Sequence, residues 1–245
     1  MAERTVVLVT GGGRGIGAAV VRLAARRGWD VAFTYAGNAA RAAETEAAAR
    51  DAGAQVLAMQ ADVADPRAVA ATFAAVEARF GRLDALVNNA GITGPKATLR
   101  ESTDAVWEQV FRTNVLGLAA CCREALARLP AGGAIVNVSS RASQIGGGGE
   151  WIHYAASKGA VDTLTIGLAK EAAAQGVRVN AVNPGLIDTE LHAMAGMPDR
   201  VARMSAAVPM ARGGSAEEVA EAVLWLLSDA ASYVTGALLP VSGGR

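Results

Sequence analysis

The chain has 245 residues, with 23 Lys or Arg against 23 Asp or Glu and no formal net charge. That balance offers a phosphate backbone no electrostatic foothold, so no nucleic-acid partner is expected. No segment holds eighteen uninterrupted apolar residues and no leader pattern opens the chain, so a soluble, cytoplasmic protein without a membrane partner is expected.

The only cysteines, Cys121 and Cys122, are adjacent in a segment of helical pattern, where neighbours point about 100° apart. They argue against a disulfide framework or a metal cage and read as buried structural thiols. No Pro- or Ser-rich linker, charge block or fixed repeat divides the chain, and a single domain over 1–245 follows.

In chain order, short β-branched or aliphatic runs at 5–9, 30–35, 55–60, 83–89, 134–140, 178–184 and 236–241 read as strands. Between them, segments of helical period at 15–28, 38–53, 65–81, 104–129, 151–175 and 215–229 carry helix formers, and several close on Gly. The strands are apolar throughout rather than at every second residue. With helices alternating, this predicts an α/β chain with a doubly wound, parallel, seven-stranded sheet covered on both faces. Such sheets bind ligands beyond the carboxyl ends of their strands.

The first strand runs into "VTGGGRGIGAAV", 9–20. Gly11, Gly15 and Gly17 permit a tight turn, close backbone approach to a diphosphate and close helix packing, while the helix start offers free N–H groups. Together with Gly13, Arg14 and Ile16 they form the candidate dinucleotide cradle. At the end of the second strand, "FTYAGNAAR", no Asp or Glu occurs before Glu44. NAD enzymes place an acid there against the ribose hydroxyls. Its absence, beside Tyr35 and Asn38, with Arg14 or Arg41 available to a 2′-phosphate, favours NADP(H) over NAD(H), which remains possible.

Further along, "YAASK" puts the Tyr154 phenol and the Lys158 amine four residues apart on one helix face. The motifs "TGGGRGIG" (10–17), "ADV" (61–63), "NNAG" (88–91), "TNVLG" (113–117), "VNVSS" (136–140), "YAASK" (154–158) and "NPG" (183–185) now stand in chain order. Together they resemble the short-chain dehydrogenase/reductase family, over nearly the whole chain. The stretch from Ser139 to Glu171 looks like its bacterial branch labelled glucose-dehydrogenase-like or generic oxidoreductase.

That resemblance implies a Rossmann-type fold and an NAD(P)-dependent enzyme that moves a hydride between nicotinamide and a ketone or secondary alcohol. Tyr154 would be the general acid/base, Lys158 its tuner and ribose anchor, Ser140 the donor to the substrate oxygen, and Asn114 the holder of a relay water. An unperturbed phenol ionises near pH 10, so a neighbouring ammonium is the chemistry needed to lower it. Ser140 lies one residue farther from Tyr154 than is commonest in the family, and the "GGGG" run, 146–149, fills the gap.

The family also places Asp62 and Val63 against adenine and Asn88, Ala90 and Gly91 against the adenine-side ribose; Asn88 or Asn89 would serve equally to knit strands together. By the same resemblance Pro184 and Gly185 pack on the nicotinamide, and Ile187 and Thr189 meet its carboxamide. Residues 186–212 would form a substrate lid, and the small-residue helices the faces of a homotetramer. Family alternatives are a 3-oxoacyl thioester reductase and a sugar 1-dehydrogenase. Another class is a redox sensor or scaffold that binds NADP(H) without turnover.

Several residues invite less. His153 and His192 are too far apart to suggest a metal, and none is expected; both sit where they would line the pocket, His153 equally as a solvent-facing helix start. Glu150 and Trp151 at the same rim suit a hydrophobic closure of the helix start better than sugar stacking. Trp107 and Trp225 fall at helical apolar spacing and read as core, and Met194, Met197 and Met204 as an adaptable apolar lid surface.

Overall fold

The computed structural model describes residues 4–190, 196–197 and 199–245. His192 and Met194 lie outside the described residues, as does part of the expected lid. The strands are β1 (Val6–Thr10), β2 (Asp30–Tyr35), β3 (Val56–Gln60), β4 (Ala85–Asn88), β5 (Ala134–Val138), β6 (Arg178–Pro184) and β7 (Leu238–Val241). They form one parallel sheet in the order β3-β2-β1-β4-β5-β6-β7. The direction of winding reverses between β1 and β4, and this opens the crevice that a doubly wound sheet uses for ligands.

Successive side chains of a strand face opposite ways, so each buried apolar run feeds two cores at once. Val7, Val9, Phe33, Val87 and Val136 pack under α1 (Gly15–Arg26), α2 (Ala39–Asp51) and a late helix, Ala216–Leu227. Val6, Leu8, Ala32, Leu86 and Ile135 pack under α3 (Pro66–Phe80), α5 (Leu118–Leu126) and α7 (Ile152–Ala172). Helix starts are locally encoded. Asp65 accepts from Arg67 N at 2.9 Å ahead of Pro66, and Ser215 and Glu218 close a reciprocal capping box on the late helix.

The segment expected as one helix at 104–129 is three: α4 (Asp104–Phe111), a π turn (Arg112–Gly117) and α5. Asn114 is 1% exposed and spends its side chain sideways, on Ile92 and Ser157. Gly117 meanwhile lies so close to the Val63 carbonyl that a Cβ would approach it to 2.6 Å. The widened turn accommodates both constraints. A short helix α6 (Ala142–Ile145) and the glycine run occupy the stretch between β5 and α7.

Two expected placements are corrected. Trp225 is 41% exposed rather than core, because the run "VLWLL" is apolar around the whole helix and its spacing names no buried side. His153 neither faces solvent nor lines the cavity. It is fully buried, with Nε2 on the Thr93 carbonyl oxygen at 2.9 Å and its ring edge against Trp107. Trp107 is half-buried, stacked on Phe111, and donates Nε1–H to Ser102 Oγ at 3.0 Å. Cys121 and Cys122 are buried and free, and burial pushes both thiols up to about 12.

Candidate active site

A cavity of about 890 Å³ opens beyond the carboxyl ends of the strands. Its wall is made by the turns that leave them: 11–16 after β1, 34–38 after β2, 61–63 after β3, 89–93 after β4, 138–142 after β5 and 184–190 after β6. Tyr154 and Lys158 of α7 complete one end.

The glycine turn forms the other end. Gly11 takes φ +66°, which an L side chain rarely adopts. Its N–H donates to Thr34 Oγ1 at 3.2 Å, and the Gly12 N–H to the Thr34 carbonyl oxygen at 2.8 Å. Gly17 is not in the cavity wall; it packs α1 onto the turn, where a Cβ would strike Gly11 O and Asn89 Nδ2. α1 has no acidic residue in its first turn, so the N–H groups facing an anion have no built-in competitor.

Of the two asparagines, Asn89 serves this turn: Nδ2 donates to the carbonyl oxygens of Thr10 at 3.0 Å and Gly11 at 2.9 Å. Asn88 does not reach the cavity. It donates to Asn137 Oδ1 at 2.9 Å, and Asn137 in turn to Thr165 Oγ1 at 2.9 Å, which knits β4, β5 and α7. Tyr35 and Asn38 reach the wall, but Asn38 Oδ1 is spent accepting from Arg41 N as the cap of α2. Arg41 stays out of the wall, paired to Glu44 and Glu190.

At the α7 end, Ser140, Tyr154 and Lys158 converge. Burial, the larger effect, holds the Tyr154 phenol above its ordinary 10, and the Ser140 hydroxyl pulls it the other way. Lys158 Nζ lies 5.7 Å from the Tyr154 ring centroid and donates to the Val138 carbonyl oxygen at 2.7 Å. Burial pushes its ammonium down to about 8, against the pull of Asp162. Asn114 stays outside the wall and supports it: Oδ1 accepts from Ile92 N and Nδ2 donates to Ile92 O, both at 2.9 Å.

Ala90, Gly91, Asp62, Val63, Pro184, Gly185, Ile187 and Thr189 all line the cavity. Sequence reasoning missed Arg200 as a wall residue. It leaves helix α8 (Arg200–Met204), grips Glu150 with its two terminal guanidinium nitrogens at 2.7 and 2.6 Å, and lies 4.7 Å over the Trp151 ring. The neighbouring "PDRVARM" signals a helix but not which of its arginines turns inward.

Residues 11–245 match the family model described as enoyl-(acyl carrier protein) reductase. The chain belongs to the short-chain dehydrogenase/reductase family. An uncharacterized oxidoreductase of Escherichia coli, YgfF, is 50% identical over 98% of this chain and 99% of its own. A cis-4-hydroxycyclohexanecarboxylate dehydrogenase of Sinomonas cyclohexanicum is 47% identical over 99% of this chain and 96% of its own. Among solved structures, a short-chain dehydrogenase from Burkholderia cenocepacia in complex with NADP superposes with a TM-score of 0.93 at 33% identity, covering 100% and 99% of the two chains. The chain is thus an oxidoreductase with the doubly wound, Rossmann-like sheet of that family. Among the described residues no helix is long and apolar enough to cross a membrane, and no group of His, Cys, Asp or Glu is arranged to hold a metal.

Proposed function

We propose that the chain is an NADP(H)-dependent reductase of ketones, equally a dehydrogenase of secondary alcohols, with Tyr154 as proton donor and acceptor. What carries this reading is the convergence of Ser140, Tyr154 and Lys158 on the wall of the same cavity that begins at the glycine turn.

The residues present fit a dinucleotide. The positive-φ glycines of the cradle, Gly11 and Gly15, the unopposed helix start and a volume within the range of cofactor pockets agree with it. The absence of a carboxylate among Tyr35–Asn38 supports a 2′-phosphate, as does the NADP in the related Burkholderia structure. Gly11, Gly13, Arg14, Gly15 and Ile16 would hold the diphosphate, Asp62, Val63, Ala90 and Gly91 the adenosine side, and Pro184, Gly185, Ile187 and Thr189 the nicotinamide. A reduced nicotinamide bound there supplies a hydride.

The protein's own part is to place and protonate the carbonyl. Ser140 Oγ donates to the substrate oxygen as negative charge builds on it. Tyr154 delivers the proton from its hydroxyl to that oxygen. A phenol held high by burial needs a nearby cation to give up its proton at neutral pH, and Lys158, one turn along, is that cation. The turn after β6 and helix α8 close over the site and keep water from it.

On the substrate side, the arginines near the lid are each neutralised: Arg200 by Glu150, Arg203 by Asp199 and Arg212 by Glu218. That speaks against a basic dock for an acidic carrier protein. Trp151, 6% exposed beneath Arg200, offers little face for stacking on a sugar. Small ketones are favoured, and the keto acid matching the Sinomonas relative's named substrate belongs in the first panel. Exposed Leu116 on the π turn and Ile166 on α7 support symmetric assembly through those helices.

The test is oxidation of NADPH, and of NADH in parallel, across linear and cyclic ketones, 3-oxoacyl thioesters and aldehydes, with NADP⁺ reduction by sugars alongside. Turnover with NADPH on a ketone is expected. In Tyr154→Phe it should fall by about 10²–10⁴, the scale of a positioned acid/base, with NADPH affinity unchanged. Near-normal reduction by Tyr154→Phe would remove Tyr154 from the chemistry.

A further inference from the structure

The four-residue step that sets Tyr154 and Lys158 on one face of α7 continues to Asp162, so a phenol, an amine and a carboxylate stand one turn apart along one helix. Asp162 is 7% exposed. A carboxylate so enclosed is costly unless it is bonded and paired. Both its oxygens accept from Asn183 Nδ2 at 3.1 Å. The same nitrogen lies 3.3 Å from the Ser140 carbonyl oxygen and 3.3 Å from Ser143 Oγ. Asn183 in turn directly precedes Pro184 and Gly185 in the cavity wall.

Lys158 is 4% exposed, and the partner its ammonium bonds, the Val138 carbonyl, is neutral. We propose that Asp162 is a positioning residue of the catalytic face: by its charge it keeps Lys158 an ammonium ion, and through Asn183 it ties that charge to the Ser140 turn and the Pro184–Gly185 wall. The proposal rests on the reading of Tyr154 as acid/base and Lys158 as its tuner.

Other groups on the elements around Lys158 do not substitute for this carboxylate. Tyr154 is a neutral phenol below its raised pKa. The α5 thiols Cys121 and Cys122 titrate only near 12. Asp104 and Glu108 of α4 and Arg112 of the π turn are exposed to solvent. Arg141, after β5, bonds the Arg245 carbonyl oxygen, and Arg178 binds Leu226 to Ser228 carbonyls at the opposite end of β6. Burial drives the Lys158 ammonium down to about 8 and Asp162 opposes it. Neutralising Asp162 therefore lets Lys158 lose its proton at lower pH.

The chain has three lysines, and Lys96 and Lys170 are exposed. A pH titration followed by NMR of protein labelled with ¹³Cε-lysine thus reads Lys158 directly, its resonance assigned by loss in Lys158→Arg. The wild-type midpoint is expected near 8. In Asp162→Asn, which keeps the shape and an acceptor for Asn183, it should fall by about one pH unit, the scale of one nearby buried charge. Asp162→Glu should restore most of it, and the alkaline limb of NADPH-dependent reduction should move with the NMR midpoint.

A cooperatively folded Asp162→Asn whose Lys158 midpoint does not move overturns the proposal. Should that variant not fold, Asp162→Ser, neutral, smaller and still able to accept from Asn183, decides by the same titration. Because the titration uses neither substrate nor cofactor, a wild type that turns over nothing would defeat the acid/base reading without deciding this one.

Discussion

At the glycine-turn end of the cavity the wall is backbone, held by bonds between main-chain groups and short side chains: Gly12 N on Thr34 O, and Asn89 N and Ala90 N both on Thr10 Oγ1. At the α7 end it is side chains, and their supports are buried polar groups: Lys158 on Val138, Asp162 on Asn183, Asn114 on Ile92. Backbone packed this closely has no room for added volume, whereas buried polar groups fail when one loses its partner. A substitution at the first end should therefore cost fold and cofactor binding together. One at the second should cost turnover while binding survives.

The largest effect expected from that contrast is Gly17→Val. Its side chain would meet Gly11 O and Asn89 Nδ2, neither of which can retreat without undoing the turn. Overpacking of this kind costs about 3 kcal/mol or more, so the melting temperature should fall by roughly 6–12 °C. NADPH affinity, read by fluorescence titration, should fall at least about tenfold. A variant that melts normally and binds NADPH normally would show that the turn is not built by close packing.

Asn114→Ala probes the other end and comes next in size. It strips partners from the Ile92 N–H and C=O and from Ser157 Oγ. Leaving such groups unpaired costs about 1–3 kcal/mol, or roughly 2–12 °C in melting temperature. Because Ile92 lies in the wall and Ser157 directly precedes Lys158, kcat should drop while NADPH affinity holds within about twofold. An equal loss of both would mean that the two ends are not separately built.

How much of this was legible beforehand follows the same division. The strand positions, the sheet covered on both faces and the glycine turn rest on local signals, β-branched runs and glycine spacing, and they appear where those signals pointed, whereas the order of the strands was not read from the sequence. Tyr154 and Lys158 were legible as a pair because one helix carries them four residues apart, and Ser140 only through the family resemblance of its motif. Asn114 was named, but its π turn was not, since the cause lies in Ile92 and Val63, which sit 22 and 51 positions earlier in the chain. Nothing in the local sequence marks Asp162; its place shows only where Asn183, from β6, stands against it. His153 was read as exposed or pocket-facing because nothing local reveals Thr93 and Trp107 closing around it. Short-range pattern carries elements and motifs; partners that arrive from distant elements are set by the fold.

Glu150 offers the finest separation of the two ends. Its bonds to Arg200 hold the Glu150 carboxyl below its ordinary 4.5, the direction expected for an acid that gains a partner on folding. Stability from the pair is therefore complete above 4.5 and is lost as pH falls through the lowered value. Glu150 is about a third exposed, so this stability is at most about 1 kcal/mol. Glu150→Gln should lower the melting temperature at pH 7 by no more than roughly 2–4 °C, and the difference from wild type should shrink as acid protonates the native carboxyl. Since the pair joins the start of α7 to α8, far along the wall from the glycine turn, substrate KM should rise severalfold while NADPH affinity stays put. If NADPH affinity weakens instead, Arg200 belongs to the cofactor's end of the cavity, and the division between a backbone cradle and a side-chain catalytic face runs elsewhere.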